Sequence, residues 1–225
     1  MRMWGGVLAA ILLTASSGIA RAQEVSQDIV DATIGEWLIV SEDGSLGCHV
    51  TLGKEKTIGG RMVKEGNTCG APWHNEIAAW DFAGPGIVLR DATRKEVIAF
   101  GEREVGPWVT DIERTPRIYF LPEPGNIDRA ATEKEALGKW VLTDKKGRAL
   151  CHITLLDSPS KRSDDSKGIR IDGDCSASVK KKVEAWQIDE IKLGIIGGED
   201  YSYSMSPDTE GFVTDDGRFR LRRDQ

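Results

Sequence analysis

Apolar and polar residues alternate along much of this chain with a period of two. In Cys48-His49-Val50-Thr51-Leu52 the set Cys48, Val50 and Leu52 falls on one face, and His49 and Thr51 on the other. Cys151-His152-Ile153-Thr154-Leu155 repeats the pattern. The same alternation places Trp37 with Ile39, Trp140 with Leu142, and Phe219 with Leu221, the last two interleaved with Arg218, Arg220 and Arg222. Residues 86–89, 96–100 and 201–205 read as further short strands. Turn signals separate them at Glu42-Asp43-Gly44, Gly84-Pro85-Gly86, Lys145-Lys146-Gly147 and Asp215-Asp216-Gly217. Many short strands at close spacing predict an all-β chain, an antiparallel sandwich or barrel, and closure of a barrel removes the exposed edges of a small sheet. Helix is expected only as a turn or two ahead of Trp37 and ahead of Trp140, with better helix formers in the second stretch.

The pattern occurs twice. Gly35, Trp37, Gly44, Cys48, His49, Thr51 and Leu52 map onto Gly138, Trp140, Gly147, Cys151, His152, Thr154 and Leu155 at a constant offset of 103. A tryptophan follows the second cysteine of each copy by eleven residues, at Trp80 after Cys69 and Trp186 after Cys175. A fixed offset through so many matches indicates an internal duplication, with a three-residue insertion in the polar stretch 158–168 of copy two. Two units of about 100 residues are each large enough for one small core. The chain then divides into residues 1–22, a first unit over 23–121, a linker over 122–133 rich in proline and glycine, and a second unit over 134–225.

Residues 1–22 read as a secretory signal: Arg2 supplies the positive charge, Trp4 to Leu13 an apolar stretch too short to span a bilayer, and Ala20-Arg21-Ala22 a cleavage site. Export to the periplasm or beyond is expected, with Gln23 as the first mature residue. No later apolar run is long enough for a membrane span. Loss of two arginines takes the formal charge from −6 to −8, which argues against a nucleic-acid surface.

Four cysteines allow three pairings. Equivalent positions in two units and an oxidising compartment favour Cys48–Cys69 and Cys151–Cys175, each closing a loop of about twenty residues and contributing about 3 kcal/mol in the chain-entropy account. A zinc site with His49 and His152 lacks any C-x-x-C or H-x-x-x-H spacing. Catalytic signatures are missing as well: there is no H-E-x-x-H, G-x-S-x-G or phosphate-cradling glycine loop. Of the three histidines, His49, His74 and His152, the duplicated pair His49 and His152 reads as surface residues, and Asp81 and Asp91 read as turn or cap residues. Lys180, Lys181 and Lys182 read as a solvated loop or a guard on an edge strand, and Trp37, Trp80, Trp140 and Trp186 as core anchors. No enzymatic activity and no cofactor is expected.

The ordered set Gly-x-Trp, polar turn, Cys-x-x-x-Leu, second Cys and Trp resembles the bacterial metalloprotease-inhibitor family, whose members inhibit serralysin-type secreted zinc proteases. The resemblance covers the mature chain twice. It implies two tandem small antiparallel eight-stranded β-barrels, each with one disulfide, and a monomer that needs no metal of its own. It further implies that the segment ahead of the first barrel, Gln23, Glu24, Val25, Ser26 and Gln27, enters the protease cleft and brings its α-amino group to the partner's zinc. The equivalent segment of the second copy, 127–137, is tethered at both ends. The rival expectation is a non-inhibitory binding or scaffold module of the cell envelope.

Overall fold

A computed structural model describes residues 25–66, 69–111, 113, 115–122, 124–125, 127–198 and 200–224. The expected signal, residues 1–22, and the first two residues of the expected protease-binding segment, Gln23 and Glu24, lie outside the described residues.

The first unit comprises helix α1 (Gln27–Thr33) and strands β1 (Gly35–Ser41), β2 (Gly47–Thr57), β3 (Gly60–Glu65), β4 (Ala79–Ala83), β5 (Gly86–Arg90), β6 (Glu96–Gly101), β7 (Trp108–Val109) and β8 (Ile118–Pro122). The second comprises α2 (Glu133–Ala136), β9 (Gly138–Asp144), β10 (Ala149–Pro159), β11 (Lys167–Ile171), α3 (Ala177–Lys180), β12 (Ala185–Asp189), β13 (Lys192–Gly197), β14 (Asp200–Asp208), β15 (Gly211–Thr214) and β16 (Phe219–Arg223). Each set of eight strands is an antiparallel meander closed by pairing its last strand with its first, β8 with β1 and β16 with β9. Cys48 is bonded to Cys69 and Cys151 to Cys175. The expected architecture and pairings are therefore those observed.

The alternation explains each interior. Trp37, Ile39, Cys48, Val50 and Leu52 point into the first barrel beside Trp80, Leu89, Phe100 and Phe120. Trp140, Leu142, Cys151, Ile153 and Leu155 fill the second with Trp186, Leu193, Met205 and Phe212. The four paired tryptophans are buried, and each donates its indole N–H to a backbone carbonyl. Trp37 Nε1 bonds Thr33 O at 2.9 Å and Trp140 Nε1 bonds Ala136 O at 2.6 Å. Trp80 Nε1 bonds Gly53 O at 2.8 Å and Trp186 Nε1 bonds Leu156 O at 3.0 Å. Acceptors in the two copies stand 103 positions apart, so the duplication holds down to single hydrogen bonds. Tryptophan is suited to these positions because it fills the barrel and satisfies a carbonyl at the same time.

Two features go beyond what the local pattern indicates. α1 is longer than α2 (seven residues against four), although the second stretch has the better helix formers. The reason is tertiary: Ala130 and Ala131, just ahead of α2, are fully buried, so the helix starts only at the Thr132 cap, whose hydroxyl accepts Glu135 N–H. Part of the linker is also packed against the barrels. Ile127 and Ala130 pack in an apolar cluster with Leu38, Val40, Val109, Tyr119 and Leu121 on the outer wall of the first barrel, and with Ile191 from the turn between β12 and β13. Ala131 N–H bonds Ile191 O at 2.8 Å, and a Cβ on Gly47 would stand 2.2 Å from Asp128 O. Arg103 ion-pairs with Glu190 across the same junction. Among the described residues no helix is long and apolar enough to cross a membrane.

Candidate functional site

The end of the first barrel at which β1 begins is closed by α1. Val30 and Thr33 of the helix are buried, and the carbonyl of Thr33 is tied to the Trp37 indole. The carbonyl of Ser26, the N-cap residue, accepts Ile29 N–H at 3.1 Å and Val30 N–H at 3.2 Å. Val25 is partly buried and packs against the barrel core. Gln27 is already helical, and its Nε2 donates to Asp31 Oδ1 at 2.8 Å. Of the five residues expected in a protease cleft, Val25 and Ser26 are thus the anchor and Gln27 belongs to the helix. Only chain upstream of Val25 is left to reach outward. Beside the helix runs a groove lined by Ile34, Thr51, Leu52, Lys54, Met62 and Lys64. Ile29, on the solvent side of α1, is 52% exposed, and Ile58, at the tip of the β2–β3 hairpin, is 62% exposed.

The other residues singled out in the sequence do not assemble into a catalytic centre. His74 Nδ1 lies 2.7 Å from Glu65 Oε2, whose carboxylate also accepts the N–H groups of Asn75 and Ile77. Glu65, His74 and Cys69 form the one grouping of metal-ligand type among the described residues, but Cys69 is oxidised to a disulfide and has no thiolate to offer. Within the second barrel, His152 Nδ1 stands 3.2 Å from Asp224 Oδ2. Asp91 accepts the N–H groups of Thr93 and Lys95, as a turn residue should, and the Thr93 hydroxyl, helped by these backbone bonds, holds its carboxyl below the usual range. Asp81 is no turn residue: it lies on β4 and pairs with Arg61 and Arg90 at 3.2 and 3.5 Å. Lys180, Lys181 and Lys182 are exposed at the end of α3, in the loop between β11 and β12, and guard no strand edge. The cleft between the barrels is lined by Leu121, Pro124, Ile127, Lys192, Asp215 and Arg220, with Lys192 and Asp215 paired at 2.7 Å. Ser206, also in its lining, donates its hydroxyl to Asp215 Oδ1 at 3.4 Å.

Residues 28–121 match the family model described as Protease inhibitor Inh. The first barrel is similar to the Inh family of protease inhibitors. The matched span runs from α1 to the next-to-last residue of β8, which is the closed unit just described, and the expected cleft-binding residues precede it. The second barrel lies outside the match, but it repeats the strand order, disulfide and indole hydrogen bonds of the Inh domain. No curated protein and no solved structure matches the chain. The match supports a role in inhibiting proteases, with a protease as the partner.

The outer-wall cluster of the first barrel was not anticipated. Its signal was nonetheless present: Trp37-Leu38-Ile39-Val40 and Ile118-Tyr119-Phe120-Leu121 are apolar at every position, where a strand with one wet face should alternate. All eight residues are buried, half inside the barrel and half outside it.

Proposed function

We propose that the chain is an exported, monomeric inhibitor of secreted zinc metalloproteases of the serralysin type, acting in the periplasm or outside the cell. The Inh match of the first barrel carries this reading. Residues 23 and 24 are the working tip of the segment, Val25 and Ser26 its root, and α1 with the barrel its pedestal. Three physical points support the mechanism. An extended segment can add as a strand to the edge of a cleft. A neutral α-amine is a competent nitrogen ligand for the partner's zinc. A root already packed on the barrel leaves little chain to be ordered on binding.

The test compares the mature chain with a form lacking Gln23 and Glu24, which keeps the Val25–Ser26 root, α1 and the barrel. The mature chain is expected to inhibit a serralysin-type protease stoichiometrically, and the shortened form to bind at least about 100-fold more weakly, a loss of about 2.7 kcal/mol. Undiminished inhibition by the shortened form would refute the mechanism.

A further inference from the structure

Duplication raises the question of whether the chain engages two proteases or one. We infer that it has a single protease-binding end, and that the second barrel is a brace docked on the outer wall of the first. This rests on the inhibitor reading above and adds to it a stoichiometry and a role for the second copy.

Three independent observations carry the inference. First, the second copy's counterpart of the cleft-binding segment is already used inside the molecule. Ala130 and Ala131 are 0% exposed, and Ala131 N–H is bonded to Ile191 O. Arg129 reaches across to the Asp208 carbonyl at 3.2 Å and to the Glu135 carboxylate. A segment anchored by the buried Ala130 and Ala131 and continuous with the chain at both ends can neither extend into a cleft nor present an amine.

Second, the exposed apolar side chains lie on one unit. Among the described residues the large hydrophobics left exposed are Ile29, Ile58 and Val105, all in the first. The position 103 residues after Ile29 is Thr132, which is used to cap α2, and the β10–β11 connection is Ser160-Lys161-Arg162-Ser163-Asp164-Asp165-Ser166. Where the first unit carries an exposed apolar tip, the second carries a polar one suited to water.

Third, the second barrel's β12–β13 turn, which corresponds to the free β4–β5 turn of the first, is spent on the junction. Ile191 is 3% exposed against Leu38 and Tyr119, and Glu190 meets Arg103. The outer faces of β1 and β8 then have an occupant, which explains why they are apolar.

Two measurements on the full mature chain decide this. Native mass spectrometry with excess serralysin-type protease is expected to show one protease per chain; two per chain overturns the inference and leaves the inhibitor reading standing. Failure to form any complex overturns both. Backbone amide relaxation of the protease-free chain is expected to give one rotational correlation time for both barrels. Separate times for the two overturn the brace without touching the inhibitor reading. Ile191→Glu, in a turn outside either barrel interior, is expected to separate the two correlation times and leave the amide spectrum of each barrel folded.

Discussion

Leu38→Ala puts the docked arrangement to its sharpest thermodynamic test. Leu38 points away from the interior of its own barrel, so in an isolated barrel it would be a surface residue, and truncating it would change stability by no more than about 0.5 kcal/mol. Here it is 0% exposed, packed with Val40, Tyr119, Leu121, Ala130 and Ile191. Removing three buried carbons forfeits about 2.4 kcal/mol of transfer free energy at about 0.8 kcal/mol each. A cavity between two relatively rigid barrels adds to that, for a total of about 2–4 kcal/mol. The counterpart in the second barrel, Val141, is only partly buried and lies in no core cluster, so Val141→Ala is expected to cost less than about 1 kcal/mol. Urea unfolding followed by tryptophan fluorescence checks both, since each barrel holds its own buried indoles. At a slope of about 2 kcal/mol per molar, Leu38→Ala should lower the midpoint of the first barrel's transition by about 1–2 M. A shift no larger than that of Val141→Ala would mean that the outer wall is wet in solution, and the argument for docking would collapse.

Other consequences follow from individual contacts. Trp80→Phe and Trp186→Phe each orphan a carbonyl, of Gly53 and Leu156, and each should cost about 1–3 kcal/mol in denaturant unfolding; a neutral result in both barrels would show that the indole bonds contribute nothing. Asp216 accepts the Arg218 N–H and the Thr214 hydroxyl, and its carboxyl is held down from 3.8 to about 2. A carboxyl with a depressed folded pKa adds stability that is fully present above about pH 4 and is lost as pH falls toward 2. Asp216→Asn should therefore flatten the acid limb of the stability curve between those values and leave the neutral region unchanged in slope, as acid titration of the unfolding midpoint will show. Reduction of the two disulfides should lower stability by about 3 kcal/mol per barrel, and peptide mapping of the oxidised chain should recover only Cys48–Cys69 and Cys151–Cys175. A bridge between the two halves would contradict the fold.

Much of each barrel could be read from the chain because the information is local. Period-two alternation says which side chains share a face, glycine-bearing turns say where strands reverse, and a constant offset says that whatever the first unit does the second repeats. Cysteines at equivalent positions then pair within their own unit. The N-terminal helix and the core tryptophans were legible for the same reason. What the alternation could not reveal is where its own breakdown leads. Leu38, Val40, Tyr119 and Leu121 announce a second buried face, but only the folded chain shows that Ala130 and Ile191 cover it. The length of α2 and the burial of Ala130 and Ala131 in the linker were likewise decided at a distance. So was the pairing of Asp81 with Arg61 and Arg90 across β3, β4 and β5. Backbone periodicity and turn geometry act over a few residues and are written in sequence order. The docking of one closed barrel on another depends on surfaces that exist only after both have closed.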